Sequence, residues 1–195
     1  MRLLFVSAAA AALLTGCARN EAPVEPVVPV VDPSSPLAAP TYMTVAASGD
    51  QFEIQSSQLA MQRSSNPALR QMAQMLITDH TNMSAQMVAA AQGAGLTPPP
   101  PALSTAHAAM LQQLQAAPAA DFDIAYRDAQ VMAHQEALTL HQNYASGGDN
   151  AALRTVAGSA VPIIQGHLNS LQALTIAPPP PPPTYQPPAD PGERG

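Results

Sequence analysis

Between Asp121 and Asn143 apolar and polar residues recur with the period of an α-helix. At 100° per residue, Phe122, Tyr126, Ala129, Ala133, Ala137, Leu140 and the following Tyr144 share one stripe. Asp123, Arg127, Gln130, His134 and His141 form a second row beside it, and Ile124, Val131 and Leu138 close the arc beyond. A polar row bounded by apolar residues on both sides does not face water fully. It predicts a helix that carries a polar seam into a bundle.

Three further stretches carry the same period. From Thr41 to Arg63, Tyr42, Val45, Ala46, Gly49, Phe52, Ser56, Leu59 and Ala60 form an inward arc with Glu53 on its edge. Ser64-Ser65-Asn66-Pro67 reads as a helix stop, then an Asn cap with Pro at the first helical position. The second helix follows to about Gln92, with Leu69, Met72, Leu76, Met83 and Met87 as its stripe and Asp79-His80 falling on it. Gly147-Gly148-Asp149 is a tight turn, with Asp149 or Asn150 capping a last helix that turns Leu153, Val156, Ala157, Ala160, Ile164, Leu168 and Leu171 inward. His167 sits mid-face on that helix and Pro162 on its outer side, where a missing N–H bends a helix without entering the core. Ser104–Ala116, with His107, is a shorter apolar piece, read as the opening of a long third helix or as a helix packed at the bundle end. The expected fold is all-α: an up-down four-helix bundle over residues 41–176 with one additional short helical segment.

Each main helix offers one inward polar residue: Glu53, His80, His134 and His167. With both short connections at the same bundle end, as up-down order requires, their depths at 1.5 Å per residue come to about 16, 21, 20 and 27 Å. That spread permits a shared layer. Three imidazoles and a carboxylate suit a divalent transition metal, but a buried polar network in which Asp79, Asp123, Arg127 and Gln130 satisfy the histidines is the commoner use of such residues and the favoured reading. The methionines of the second helix, at helical spacing, read as core filling.

Composition narrows the picture. Hydrophobic residues make up 47% of the chain with no Trp and 4% aromatics, so the core is alanine-, leucine- and methionine-rich, as close-packed helices allow. Seven basic residues, all Arg, against thirteen acidic ones give a net charge of -6, which disfavours nucleic acid as a partner. The single cysteine excludes an internal disulfide framework.

That cysteine has a better use. Residues 1–16 hold one charge, an apolar run and small residues at the end, as a secretory signal does. The run closes Leu14-Thr15-Gly16-Cys17, which resembles a bacterial lipoprotein box: the thiol at the first mature position takes a thioether-linked diacylglycerol. Multiple acyl chains anchor stably, at about 0.8 kcal/mol per buried CH₂. Ala18 rather than Asp after the cysteine resembles the enteric pattern for export to the outer membrane. Residues 17–40 are a proline-rich tether, and 177–195, with six consecutive prolines, a disordered tail. The expectation is a protein on the periplasmic face of the cell envelope, joined to the membrane by its lipid.

Glu53, Asp79-His80, Phe122-Asp123 with Tyr126, Gln130 and His134, and then Pro162 and His167 resemble a family of exported bacterial proteins of unknown function. The resemblance covers about residues 41–175 and implies a ferritin-like four-helix bundle without an agreed activity. Ferritin-like di-iron proteins carry Glu-x-x-His on two helices. Here Ile77 and Ile164 stand three residues before His80 and His167, so the bridging carboxylates of that chemistry are missing.

Two readings follow. The main one is a lipid-anchored, non-enzymatic envelope bundle that binds an envelope protein or small ligand or serves in stress protection, with no cofactor required. The alternative is a ferritin-like metalloprotein holding a single transition-metal ion, with redox activity open to it. No Ser/His/Asp order or close acidic pair favours a hydrolase.

Overall fold

In the computed structural model, residues 32–176 are described. The signal box Leu14-Thr15-Gly16, the lipid-anchor residue Cys17 and the tail 177–195 lie outside them. Five helices make up the described part: α1 (Ala39–Arg63), α2 (Pro67–Gly93), α3 (Thr105–Ala116), α4 (Phe122–Gly147) and α5 (Ala151–Ala173). The protein is all-α, a four-helix bundle plus one short helix, and among the described residues no helix is long and apolar enough to cross a membrane.

Local chemistry sets the boundaries. α1 starts at Ala39, two residues before the expected Thr41, because Pro40 occupies its first turn, where a missing N–H costs nothing. Asn66 accepts from the backbone N–H groups of Ala68 and Leu69, and Asn150 from that of Leu153, which starts α2 and α5. Of the two residues considered for the second cap, Asn150 takes the role. Asp149 instead ties α4–α5 to α1, accepting from the Ala39 N–H at 2.9 Å and the Tyr144 hydroxyl at 2.9 Å. Pro162 is exposed inside an unbroken α5.

α1 pairs with α2 and α4 with α5; α1 also lies beside α4, and α2 beside α5. One point of order differs from the sequence expectation. The N-terminal part of α1 (Ala39, Tyr42) clusters with the C-terminal parts of α2 (Met87, Ala91) and α4 (Tyr144) and the start of α5 (Leu153). At the other end Ala60, Leu69, Leu114, Phe122 and Tyr126 cluster together. The two short turns therefore lie at opposite ends, and α2 and α4 run parallel. α3 makes this possible: it is neither the start of a long third helix nor an end cap, but runs alongside α1 and returns the chain to the top of α4. Ser48 Oγ accepts from the Ser104 N–H at its start, and Arg63 donates to the Leu114, Gln115 and Ala117 carbonyls at its end. A ferritin-like bundle with one long crossover has this path.

The α1 face is also shifted from the expected arc. Val45 is 45% exposed, whereas Glu53, placed at the edge from sequence, is buried, as are Asp50, Ser56 and Ser57. The two apolar clusters thus cap a polar layer at mid-height.

Candidate metal centre

Measured from the end that holds the α1 N-terminus and the α4–α5 turn, Glu53, His80, His134 and His167 lie about 21, 20, 20 and 24 Å along their helices. The crossover brings to one level what strict up-down order left spread over about 11 Å. The four side chains meet there, all buried. One ring nitrogen from each of His80, His134 and His167 falls within 4.8 Å of the other two. The ring centroids are 5.4–5.5 Å apart.

Each imidazole is held by a partner behind it, and those partners assign the ring protons. His134 Nδ1–H donates to the Gln130 carbonyl at 2.8 Å, which leaves Nε2 bare. His167 Nε2–H donates to Asp79 Oδ2 at 2.9 Å, which leaves Nδ1 bare. These two bare nitrogens face each other at 3.4 Å. His80 Nδ1 lies 2.9 Å from Asp50 Oδ1, and Ser84 Oγ donates to the other Asp50 oxygen at 2.6 Å. That turns His80 Nε2 toward Glu53 Oε2, 2.5 Å away, while Glu53 Oε1 stands 3.2 Å from His134 Nδ1. Neither Glu53 contact has hydrogen-bond geometry: both carboxylate oxygens and His80 Nε2 are buried polar atoms without a hydrogen-bond partner.

The electrostatics follow from burial and charge. Burial alone would push the Glu53 carboxyl up, but the charge on His80 and the imidazoles of His134 and His167 override it and hold the group down at about 2. Burial would lower His80, yet Glu53 and then Asp50 raise it to about 10. His134 and His167 are lowered, by burial first, with the His80 charge adding to it. Without an ion, the layer is one carboxylate–imidazolium pair beside two neutral imidazoles.

The supporting residues divide. Asp79 and Gln130 touch the histidines, the latter through its carbonyl while its amide Nε2 donates to Ser56 Oγ at 2.7 Å. Arg127 does not: its guanidinium donates to the neighbouring Asp128 at the surface. Asp123 stays half-buried in the first turn of α4, and none of the described hydrogen bonds joins it to a histidine. Two and three turns before His134, these seam residues point past the layer, not into it. Sequence reasoning missed Asp50. The signal was available, since Asp50 and Glu53 are the only acidic residues of α1 and stand at i and i+3, on one face. His107 and His141 are buried too, on Ser48 Oγ (2.6 Å) and the Tyr42 hydroxyl (3.0 Å).

The donor set fits a transition metal. Two nitrogens of one tetrahedral ion, each about 2.0–2.1 Å from it, sit about 3.4 Å apart, the His134–His167 separation. A carboxylate and a third ring nitrogen, both lacking hydrogen-bond partners, stand beside them.

No curated protein matches the chain. Among solved structures, it is similar to CopM in the Cu(II)-bound form, at 17% identity with a TM-score of 0.60, covering 70% of this chain and 94% of that one. The silver-bound form of CopM gives 16%, 0.58, 70% and 93%. A DUF305 fragment from Deinococcus radiodurans gives 16%, 0.61, 71% and 95%. At these identities the likeness is one of fold. The sequence profile of the domain of unknown function DUF4142 matches residues 31–174, so the described bundle, polar layer included, is that domain and the chain belongs to the DUF4142 family.

Proposed function

We propose that this protein is a lipid-anchored envelope protein whose bundle binds one divalent transition-metal ion through Glu53, His80, His134 and His167. The observation that carries the reading is the 3.4 Å approach of His134 Nε2 and His167 Nδ1, which the Gln130 carbonyl and Asp79 leave bare by claiming the other ring protons. Two neutral imidazoles whose protons are engaged elsewhere present lone pairs to each other across 3.4 Å between buried side chains. A shared cation turns that repulsion into attraction. The Glu53 oxygens beside them, paired in charge with His80 but without a hydrogen bond, supply the countercharge.

The chain's own residues do three things here. Asp79, Asp50 and the Gln130 carbonyl aim the rings; the apolar clusters above and below exclude water; Glu53 brings negative charge. Imidazole and carboxylate donors suit Zn(II), Ni(II), Fe(II) and Cu(II), and the general order of divalent affinities puts Cu(II) first. Similarity of fold to a protein solved with Cu(II) and with silver supports the choice. With isoleucine where di-iron proteins carry their bridging carboxylates, the reading is binding and sequestration of one ion, not oxidase or storage chemistry. Cys17 in its Leu-Thr-Gly-Cys context supports attachment to the membrane by a lipid, and Ala18 after it favours the outer membrane, facing the periplasm.

Untagged protein equilibrated with Cu(II) and freed of excess by gel filtration is expected to retain one equivalent per chain. Cys17→Ala is expected to move the protein from the membrane to the soluble fraction with that equivalent intact. A chain that retains no metal above its ion-treated denatured control overturns the proposal.

A further inference from the structure

A pocket of about 40 Å³ opens between α1 and α4, walled on one side by α3, and ends on the polar layer. Its inner wall is Asp50, Glu53 and His80, which by themselves offer three ligand atoms within 4.8 Å of one another. His107 and Glu136 stand at its mouth, His107 Nε2 3.9 Å from a Glu136 side chain that is 62% exposed. Three carboxylates thus follow one another from surface to core, and the innermost has no hydrogen-bond partner on either oxygen.

The floor of the opening is Gly49. A glycine mid-helix costs about 1 kcal/mol relative to alanine, and here no turn or positive φ requires one. A Cβ built on it meets no heavy atom within 4 Å. The missing side chain is therefore not a packing necessity; it leaves a gap over the buried acids. Opposite, His107 is fixed by Ser48 and stacked on Phe52 at 5.4 Å, so α3 forms a rigid outer wall.

Resting on the metal reading above, we infer that this pocket is the port through which a divalent cation reaches the centre, with Glu136 as the outer and Asp50 the inner carboxylate. At about 40 Å³, room for on the order of three waters, the port admits a partly dehydrated ion, and the carboxylates replace the oxygens it has lost. The charge at the mouth raises the local cation concentration.

The test is stopped-flow loading of the full chain with Cu(II), followed by ligand-field absorption, and its release to a chelator. Gly49→Leu fills the gap without replacing a ligand. Loading and release are both expected to slow by on the order of tenfold or more, with one equivalent still bound and the helical signal unchanged. Glu136→Gln is expected to slow loading several-fold at low salt, with the difference vanishing at high salt. Should Gly49→Leu lose stoichiometry, Gly49→Ala and Glu136→Gln decide. Wild-type rates in those two, or in Gly49→Leu with its ion in place, overturn the port and leave the centre standing. A wild-type chain that takes up no ion overturns the centre and the port with it.

Discussion

Replacing Glu53 by glutamine removes one charge from the polar layer and almost no volume, so it isolates the buried ion pair. Glu53 and His80 are each 1% exposed and approach to 2.5 Å. Two unit charges about 4 Å apart in a medium of effective dielectric about 20 attract by about 4 kcal/mol. Removing one partner of such a pair typically costs about 3–5 kcal/mol. His80 recovers part of this by releasing its proton and accepting from the new amide, so the net cost for ion-free Glu53→Gln at pH 7 is about 2–4 kcal/mol. For a domain of this size that lowers the thermal midpoint by on the order of 10 °C. The assay is urea unfolding of chelator-treated protein followed by circular dichroism, at pH 7 and again at pH 10.5. At the higher pH, above the raised His80 value of about 10, the wild type has itself lost the imidazolium and holds an unpaired buried carboxylate. The variant's deficit should then shrink below about 1 kcal/mol or change sign. An equal deficit at both pH values, or none at pH 7, would refute the ion pair.

Two further outcomes follow from the same geometry. Ion-free wild type should be most stable near pH 6.5. The raised His80 contributes stability that is fully present below its unfolded value of 6.5 and is lost as pH rises through about 10. On the acid side, the lowered His134, His141 and His167 withdraw stability as pH falls below 6.5, and the lowered Glu53 withdraws more from 4.5 toward about 2. A pH series of urea midpoints checks the shape, and a flat profile from 5 to 10 would contradict it. Asp79→Asn removes the carboxylate that holds His167 Nε2–H, so Cu(II) affinity by competition titration should fall about 10–100-fold. Because Asp79 is partly exposed, unfolding should change little, and unchanged affinity would deny it the orienting role.

Much of this was legible in the sequence, and the parts that were not share a cause. Periodicity located four helices, Asn66 marked one start and Asp149-Asn150 another, and Glu53, His80, His134 and His167 were the inward polar residue of each main helix. The path between helices was not legible, because hydrophobic period encodes which face is buried and not which way the chain runs. The residues between Ala94 and Ser104 gave the available hint: nine residues, if extended, reach about 30 Å, enough to climb a bundle. Direction mattered for the site, since only the crossover brings the four residues level. Asp123 and Arg127 share a helical row with His134, but a row is a direction from one axis, and residues two or three turns away meet different neighbours. Asp50 was passed over for the opposite reason. The periodicity of α1 centres its face on Val45 and Gly49, one position from the true centre, and an aspartate on that flank reads as solvated until His80 is seen against it.

The central claim is that the polar layer is a metal centre and not only polar glue between helices. Its most direct test is thermal unfolding of the chelator-treated full chain, wild type and His134→Ala, with and without Cu(II). An ion bound only by the native state stabilises it by about 4 kcal/mol at a thousandfold excess over its dissociation constant. The wild type should therefore unfold on the order of 10 °C higher with Cu(II). His134→Ala, lower in its ion-free midpoint and still helical, should show no such rise. Equal midpoints with and without Cu(II) in the wild type, or an undiminished rise in His134→Ala, would contradict the account.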